Sequence, residues 1–169
     1  MKSHPGESRY SYYVFFVLLA ILCGWILSLP IFPTQDGPVH VYYADVAASL
    51  IKGSPLYAAD FHIARPFPPY SLHAYILMAL LQVVSPAMAE KLLACVAVLV
   101  LGLGMLYLAR QVGPSGGLAA AFAAPLLLNR YLFLGFYGFC IAVGLAFAAM
   151  GLWLRPDRGE IRRRVLFLV

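Results

Sequence analysis

Charged side chains are scarce in this sequence. Only 11% of its 169 residues are Asp, Glu, Lys or Arg, whereas 63% are hydrophobic, and the mean hydropathy is +0.84. A soluble domain has about 25% charged and about 45–50% apolar residues, so this chain lacks the polar side chains that a water-exposed surface needs. The composition therefore excludes an ordinary soluble domain and predicts a protein of the lipid bilayer.

Basic residues are sparse outside one short stretch. Five of the twelve Lys and Arg residues fall between Arg155 and Arg164, and no basic patch with interleaved aromatic residues occurs elsewhere. Because a nucleic-acid-binding surface needs such a patch, the net charge of +5 does not indicate a nucleic-acid partner. Lys and Arg clustered beside apolar segments instead mark the cytoplasmic side of membrane proteins.

Cysteine and catalytic sequence motifs are also few. The three cysteines, Cys23, Cys95 and Cys140, lie far apart inside apolar segments and form no CxxC pair. An odd number of widely spaced cysteines argues against a disulfide framework and against a zinc site. The sequence contains no glycine-rich phosphate loop, no Ser/His/Asp set and no HExxH motif.

Long apolar runs are what the sequence has in abundance. They predict membrane spans at about 11–32, 88–109, 118–132 and 137–154, with the start of another at 165. The first run is longer than the apolar core of a signal peptide, which has about 7–15 residues, and no A-x-A cleavage pattern ends it. We therefore expect a retained anchor, and we interpret the chain as an N-terminal fragment of a longer polytopic protein.

The distribution of charge predicts the orientation in the membrane. The apolar stretch 70–84 is shorter than the roughly 20 residues that a helical span requires, so it is predicted to be a re-entrant or surface-lying helix on the outer side. Arg110 and the basic residues after 154 then fall in the cytoplasm with the N-terminus, as the positive-inside rule demands. The predicted fold class is all-α, a polytopic transmembrane helix bundle whose large outer loop, 33–87, carries amphipathic surface helices at about 38–52 and 70–84.

The first of these surface helices has a clear apolar periodicity. Its apolar residues recur three and four positions apart, which is typical of one helical face: Val39, Tyr42, Tyr43, Val46, Ala47, Leu50 and Ile51. His40, Asp45, Ser49 and Lys52 lie off that face, and Gly53 and Pro55 end the pattern. The sequence therefore predicts a helix that lies on the outer membrane surface.

Asp36 stands just before this helix and has two interpretations. Aspartate is favoured at a helix N-terminus, where its carboxylate accepts hydrogen bonds from first-turn N–H groups, and Pro38 fits just inside the start. A carboxylate at the lipid–water boundary is also partly desolvated, which raises its pKa and suits it to act as a general base. The two interpretations are compatible, because a capping residue is also held in place.

Three stretches of the chain resemble the N-terminal part of the GT-C glycosyltransferases. They are "QDGPVHVYYADVAASLIKGSPLY", similar to the Asp-x-Pro-x-His form of the first outer loop, "RPFPPYSLHAYILMALL", and "FLGFYGFCIAVGLAFAAMGLWLR". The resemblance implies a membrane enzyme that moves a hexosyl or pentosyl group from a polyprenyl-phosphate sugar to an acceptor hydroxyl. It also implies a site on the extracytoplasmic side of the cell envelope, in a bacterial inner membrane.

The resemblance also assigns roles to residues of this sequence. Asp36 matches the first-loop aspartate, which the family uses as catalytic base or metal ligand. His40 would bind the donor phosphate or assist a divalent metal together with Asp36, unless it is simply a solvated histidine. Arg65 and Arg130 would neutralise the phosphate, although Arg65 is also explained as a lipid-headgroup contact and Arg130 as a snorkelling side chain.

The second outer loop departs from the family pattern. Many members carry a carboxylate there, whereas this chain has "LLLNRYLFLGFYGF", with no acidic residue. The departure leaves Asp36 alone, or paired with a carboxylate from the part of the protein that follows. It therefore weakens the expectation of a metal site with two carboxylates.

Two other classes of protein remain as alternatives. A transporter or flippase of lipids or solutes normally has polar or ionisable residues in the middle of its spans, and these predicted spans have almost none. A non-catalytic membrane assembly subunit would need Asp36 only as a helix cap. Asparagine caps a helix about as well as aspartate, so replacing Asp36 by asparagine separates a cap from a base.

Overall fold

The computed structural model describes residues 9–63 and 71–155, and every regular element in them is helical. The helices are α1 (Arg9–Ser28), α2 (Gly37–Ile51), α3 (Leu72–Leu80), α4 (Pro86–Val112), α5 (Gly116–Ala123), a 3₁₀ helix (Ala124–Leu127), α6 (Arg130–Phe133) and α7 (Tyr137–Trp153). The span predicted to start at 165 lies outside the described residues.

Three helical segments are long and apolar enough to cross a bilayer. They are Arg9–Ser28, Pro86–Val112 and the run Gly116–Phe133, while α7 is a shorter apolar helix of 17 residues. The protein is therefore an integral membrane protein with an all-helical fold in the residues described. The third segment is not a regular helix throughout: it tightens into the 3₁₀ turn at Pro125, because proline has no N–H to donate.

Helices α4 and α7 run parallel and pack closely along a line of glycines. A Cβ atom placed on Gly144 would lie 2.5 Å from the carbonyl oxygen of Val100, and one on Gly151 would lie 2.6 Å from the ring of Tyr107. A Cβ on Gly104 would likewise overlap the backbone of Gly144. In lipid, where the hydrophobic effect cannot drive helices together, such close backbone contact is a main source of helix association.

The ends of the long helices meet in two groups. At one end, the guanidinium of Arg110 lies 5.0 Å from the ring centre of Tyr12, and Gly117 packs against Ser11. The end of α4 is therefore beside the start of α1, so these two helices are antiparallel. The residues after α1, the start of α4 and the start of α7 meet at the opposite end, which is the alternation that the predicted order of crossings requires.

Helix α2 forms within one residue of the predicted 38–52 and packs on the bundle with one narrow face. The buried residues of that face are small or short: Gly37, Val41, Ala44 and Ala48. The predicted apolar face points the opposite way, and Val39, Tyr42, Tyr43 and Ile51 are exposed on it. Val46 on the same face is buried, and the ring of Tyr42 contacts those of Tyr57 and Phe61. The predicted face is therefore only partly exposed, and its contact with a lipid surface stays a prediction.

Helix α3 is shorter than the stretch 70–84 predicted for the second surface helix. It has nine residues, and a helix of that length extends only about 14 Å, whereas the hydrocarbon core is about 30 Å thick. Turns follow it directly before Pro86 begins α4. A separate crossing by α3 is therefore impossible, which agrees with the assignment of this segment to a membrane surface.

Lys91 closes the C-terminal end of α1. Its Nζ donates hydrogen bonds to the carbonyl oxygens of Leu27, at 3.1 Å, and Leu29, at 2.9 Å, although the side chain is almost fully buried. The last carbonyls of a helix have no partner within the helix, and Pro30 has no N–H to offer. A buried ammonium here satisfies both carbonyls and opposes the negative end of the helix dipole.

Replacing Lys91 by methionine is expected to destabilise the protein. Methionine fills a similar volume but donates no hydrogen bond, and each buried polar group left without a partner costs about 1–3 kcal/mol. We expect a lower unfolding temperature in detergent for Lys91→Met. Lys52→Met, at an exposed position, is the control and should change that temperature little. Equal unfolding temperatures for Lys91→Met and the unchanged protein would contradict this role.

Candidate functional site

The segment that carries Asp36 is attached to the loop between α6 and α7. The backbone N–H of Gln35 donates to the carbonyl of Phe133 at 3.0 Å, and that of Asp36 donates to Leu134 at 3.2 Å. His40 N–H in turn donates to the Asp36 carbonyl at 3.0 Å, which places His40 one helical turn after Asp36, as predicted. The backbone at Asp36 is therefore hydrogen-bonded both to the residues before α7 and to the first turn of α2.

Asp36 occupies the N-cap position of α2, but its carboxylate does not cap the helix. The side chain accepts no hydrogen bond from the first turn, and the backbone is already in the right-handed helical region, at φ −104° and ψ −3°. Side-chain capping normally requires an extended backbone at the N-cap residue. A side-chain capping hydrogen bond therefore does not account for an aspartate here, where the carboxylate is half-buried.

A buried polar cluster lies directly beneath Asp36. It consists of Glu90 on α4, Thr34 in the segment after α1 and Tyr137 at the start of α7. The Tyr137 hydroxyl donates to Glu90 Oε1 at 2.9 Å, and the Thr34 hydroxyl donates to the same oxygen. Tyr137 is fully buried and Glu90 is 4% exposed. This Glu90 cluster joins three separate parts of the chain at one end of the bundle.

Two glycines allow these segments to approach so closely. A Cβ atom on Gly37 would overlap the Glu90 carboxylate and the Thr34 hydroxyl. Gly135 has a φ of +86°, which favours glycine, and a Cβ there would lie 2.8 Å from the Gly37 nitrogen. The packing of the Asp36 segment against α4 and the loop before α7 thus depends on the absence of side chains at both positions.

His40 completes the group of titratable side chains at this end. Its ring lies 4.9 Å from the ring of His73 on α3 and 6.4 Å from that of Tyr137. Burial lowers the pKa of His40 below its ordinary value of 6.5, while the negative charges of Asp36 and Glu90 oppose that shift. The neutral imidazole is therefore favoured in the folded protein at neutral pH.

The lowered pKa of His40 predicts a pH dependence of stability. The unfolded chain binds a proton near pH 6.5 and the folded chain only at lower pH, so stability is lost as pH falls from 6.5 through the folded-state pKa. We expect the unfolding temperature to fall less over this range in His40→Gln than in the unchanged protein. An identical fall in both would show that the dependence comes from neighbouring groups such as Asp36, Glu90 or His73.

Of the two predicted phosphate-binding arginines, only Arg130 lies in the described residues. Arg130 is the first residue of α6, with an exposed side chain, and lies a few residues before the backbone carbonyls that hold Gln35 and Asp36. Asn129 caps α6 by accepting a hydrogen bond from Leu132 N–H at 3.1 Å. Arg65 lies outside the described residues. Its predicted role stays a prediction.

The described residues do not supply a complete metal site around Asp36 and His40. In residues 9–63 and 71–155 no group of three or more His, Cys, Asp or Glu side chains is arranged to hold a metal ion. Asp36 and His40 provide two ligands at most, whereas protein metal sites generally use three or more. A divalent metal held by Asp36 and His40 stays a prediction.

The sequence interpretation missed the Glu90 cluster. Glu90 and Lys91 lie at one end of the predicted span 88–109, where the sequence alone indicates no contact with Asp36. Both residues are almost fully buried, and Glu90 lies under the residue that follows Asp36. The sequence feature that could have indicated the cluster is the pair Glu90 and Lys91 at the start of an otherwise apolar run. Ionisable residues within membrane segments are costly and usually have a role.

Comparison with known proteins identifies no relative. No protein-family model, no curated protein and no solved structure matches this chain.

Proposed function

We propose that this protein is a membrane glycosyltransferase of the GT-C type, acting at the extracytoplasmic face of a bacterial inner membrane. It would transfer a sugar from a polyprenyl-phosphate donor to an acceptor hydroxyl. The N-terminus would be cytoplasmic, and 33–87 would form the outer loop. The end of the bundle that holds Asp36 and Glu90 would then face the side where the lipid-linked sugar is presented.

The observation that supports this proposal most strongly is the uncommitted carboxylate of Asp36. It sits at the start of α2 on a backbone fastened by hydrogen bonds to Phe133 and Leu134, yet it does not cap the helix. A fixed, half-buried carboxylate is what a general base requires, since proton transfer depends on geometry before it depends on pKa.

The reaction follows from these positions. The acceptor hydroxyl loses its proton to the Asp36 carboxylate while its oxygen forms a bond to the anomeric carbon of the donor sugar. The bond between that carbon and the phosphate oxygen breaks, and polyprenyl phosphate leaves with the electron pair. Since phosphate is a good leaving group, the protein needs to supply a base, charge neutralisation and alignment.

The charge on the departing phosphate requires a positive or hydrogen-bonding partner. Arg130 is exposed on the loop side of the site and can form two parallel hydrogen bonds to phosphate oxygens. His40 lies one turn from Asp36 and can donate a ring N–H to the same group. Arg65 is proposed for the same task from the sequence resemblance alone.

Sugar transfer can be tested directly in proteoliposomes. The purified protein would be supplied with polyprenyl-phosphate sugars of the hexose and pentose classes, labelled in the sugar, and with a cell-envelope extract as the source of acceptor hydroxyls. The proposal expects labelled acceptor and free polyprenyl phosphate to appear together in equal amounts. Intact donor with every sugar tested, in a preparation whose folding is verified by circular dichroism, would count against it.

One feature of the fold favours the transporter alternative. The run Gly116–Phe133 is interrupted by the 3₁₀ turn Ala124–Leu127, and broken helices in the membrane often mark transport sites. The break, however, packs on Leu19 and Gly102 through the side chain of Leu127, and 92–109 contains no ionisable acid, base or histidine. The same proteoliposomes separate the two: a flippase would move intact donor between leaflets without releasing polyprenyl phosphate.

A further inference from the structure

Glu90 is the most deeply buried acid of the described residues, and it contacts the Asp36 segment on both sides. Thr34, two residues before Asp36, donates its hydroxyl to the Glu90 carboxylate, and Gly37, the next residue after Asp36, packs directly against it. Residues on both sides of Asp36 in the chain therefore contact the same side chain.

The backbone hydrogen bonds at this site do not make the cluster redundant. Those from Gln35 and Asp36 to Phe133 and Leu134 fix the distance between the segment and the loop before α7. Both bonds run to the same short stretch of chain, so they constrain the Asp36 segment from one direction only. The contacts to Glu90 come from α4, a different direction, so they add a second constraint.

The cluster also reaches the other proposed site residue. Tyr137 donates its hydroxyl to Glu90, and its ring lies 6.4 Å from the ring of His40. Because a buried carboxylate is costly unless it is hydrogen-bonded, the two hydroxyls and the carboxylate hold one another in a single arrangement. Glu90 thus links the starts of α4 and α7 to the residues that begin α2.

We propose that Glu90 is a positioning residue: by accepting hydrogen bonds from Thr34 and Tyr137, it fixes the direction of the Asp36 carboxylate. Its role as a positioning residue for sugar transfer rests on the proposed function, whereas its effect on the geometry of position 36 does not. The part that matters is an acceptor oxygen at the place of Oε1. The negative charge of Glu90 is not required.

Two substitutions at Glu90 separate the acceptor from the charge. Glu90→Gln keeps a carbonyl oxygen with two lone pairs that can accept from both hydroxyls, whereas Glu90→Leu removes the acceptor and keeps the volume. We expect Glu90→Leu to lower kcat for sugar transfer by about 100-fold, the order expected for a misplacement of about 1 Å, with KM changed little. Glu90→Gln should keep most of the kcat of the unchanged protein.

A measurement that does not use sugar transfer keeps the inference independent. Cysteine is placed at position 36 in a background where Cys23, Cys95 and Cys140 are alanine, and its rate of reaction with a membrane-impermeant maleimide is followed. We expect Glu90→Leu to change this rate severalfold, and Glu90→Gln to leave it unchanged. The double variant Thr34→Val with Tyr137→Phe should reproduce the effect of Glu90→Leu. Thr34→Val alone, which leaves the Tyr137 hydroxyl on Glu90, should change the rate in the same direction, and it serves if the other two variants do not fold.

The outcomes are distinct for the two proposals. An unchanged maleimide rate in Glu90→Leu and in the double variant would overturn the positioning role. So would a loss in Glu90→Gln as large as that in Glu90→Leu, since the charge would then be the essential property. Absence of sugar transfer in the unchanged protein, combined with the expected maleimide rates, would overturn the proposed enzyme and leave the positioning of residue 36 standing.

Discussion

Replacing Asp36 by asparagine is expected to abolish most sugar transfer while leaving the fold intact. A positioned general base typically contributes about 100- to 10,000-fold to a rate, and asparagine cannot accept the proton. Asparagine is close to isosteric with aspartate and is equally suited to an N-cap position, so α2 should form as before. We expect kcat to fall by about 100-fold or more, measured as release of polyprenyl phosphate from a labelled donor.

A matched control is present on the same helix. Asp45 is an exposed aspartate on α2, and Asp45→Asn removes the same charge from a position outside the site. It should keep normal activity, normal amounts in the membrane and a normal unfolding temperature. Both substitutions would be made in the chromosomal gene, so that each is tested in the full-length protein. Full activity in Asp36→Asn would remove Asp36 from the mechanism.

The second large effect is expected where α4 and α7 meet. In Gly144→Ala, the added Cβ would lie 2.5 Å from the carbonyl oxygen of Val100 and 2.7 Å from the Cα of Leu101, both of them backbone atoms of α4. Backbone cannot move aside as a flexible side chain can, so the two helices must separate. We expect the free energy of unfolding to fall by about 1–3 kcal/mol, the usual cost of overpacking.

Gly24 supplies the control for this substitution. It lies in α1, where a Cβ atom would meet no other atom within 4 Å, so Gly24→Ala adds the same methyl group to open space. Alanine is a better helix former than glycine by about 1 kcal/mol, which makes Gly24→Ala neutral or stabilising. Unfolding temperatures measured in detergent should therefore move in opposite directions for the two variants. Equal shifts would show that α4 and α7 are not in close backbone contact.

Separation of α4 and α7 is also expected to change the geometry of the candidate site. Tyr137 is the first residue of α7 and Glu90 is near the start of α4, so separation of these helices lengthens the hydrogen bond between them. Gly144→Ala should then lower sugar transfer although residue 144 lies two turns from Tyr137. This links the packing of the bundle to the geometry of the Glu90 cluster.

The positions of the helices could be predicted from local sequence because their causes are local. A run of apolar residues long enough to cross the bilayer specifies a helix there, since no other open structure satisfies its own backbone in lipid. Pro86 at the start of α4 and Gly53 just after α2 mark boundaries for equally local reasons. The break at Ala124–Leu127 was signalled by Pro125, although its 3₁₀ geometry was not predicted.

The candidate site was predicted only in part, because its members are distant in sequence. Asp36 and His40 were identified from a short motif, and the structure places them one helical turn apart. Glu90 and Tyr137 belong to other helices, and the sequence gives no measure of how closely those helices pack. The second outer loop has no acidic residue, whereas the fold brings Glu90 of α4 against the segment that carries Asp36.

The sequence by itself determined that this is a helical membrane protein, where its apolar segments lie and that an aspartate follows the first of them. Composition and periodicity suffice for this, because the solvent and the backbone hydrogen bonds within each segment decide it. Only the tertiary structure decided that the Asp36 carboxylate is not used as a cap, and that Glu90, Thr34 and Tyr137 meet beneath it. These are consequences of helix ends brought together by packing, which no single segment specifies.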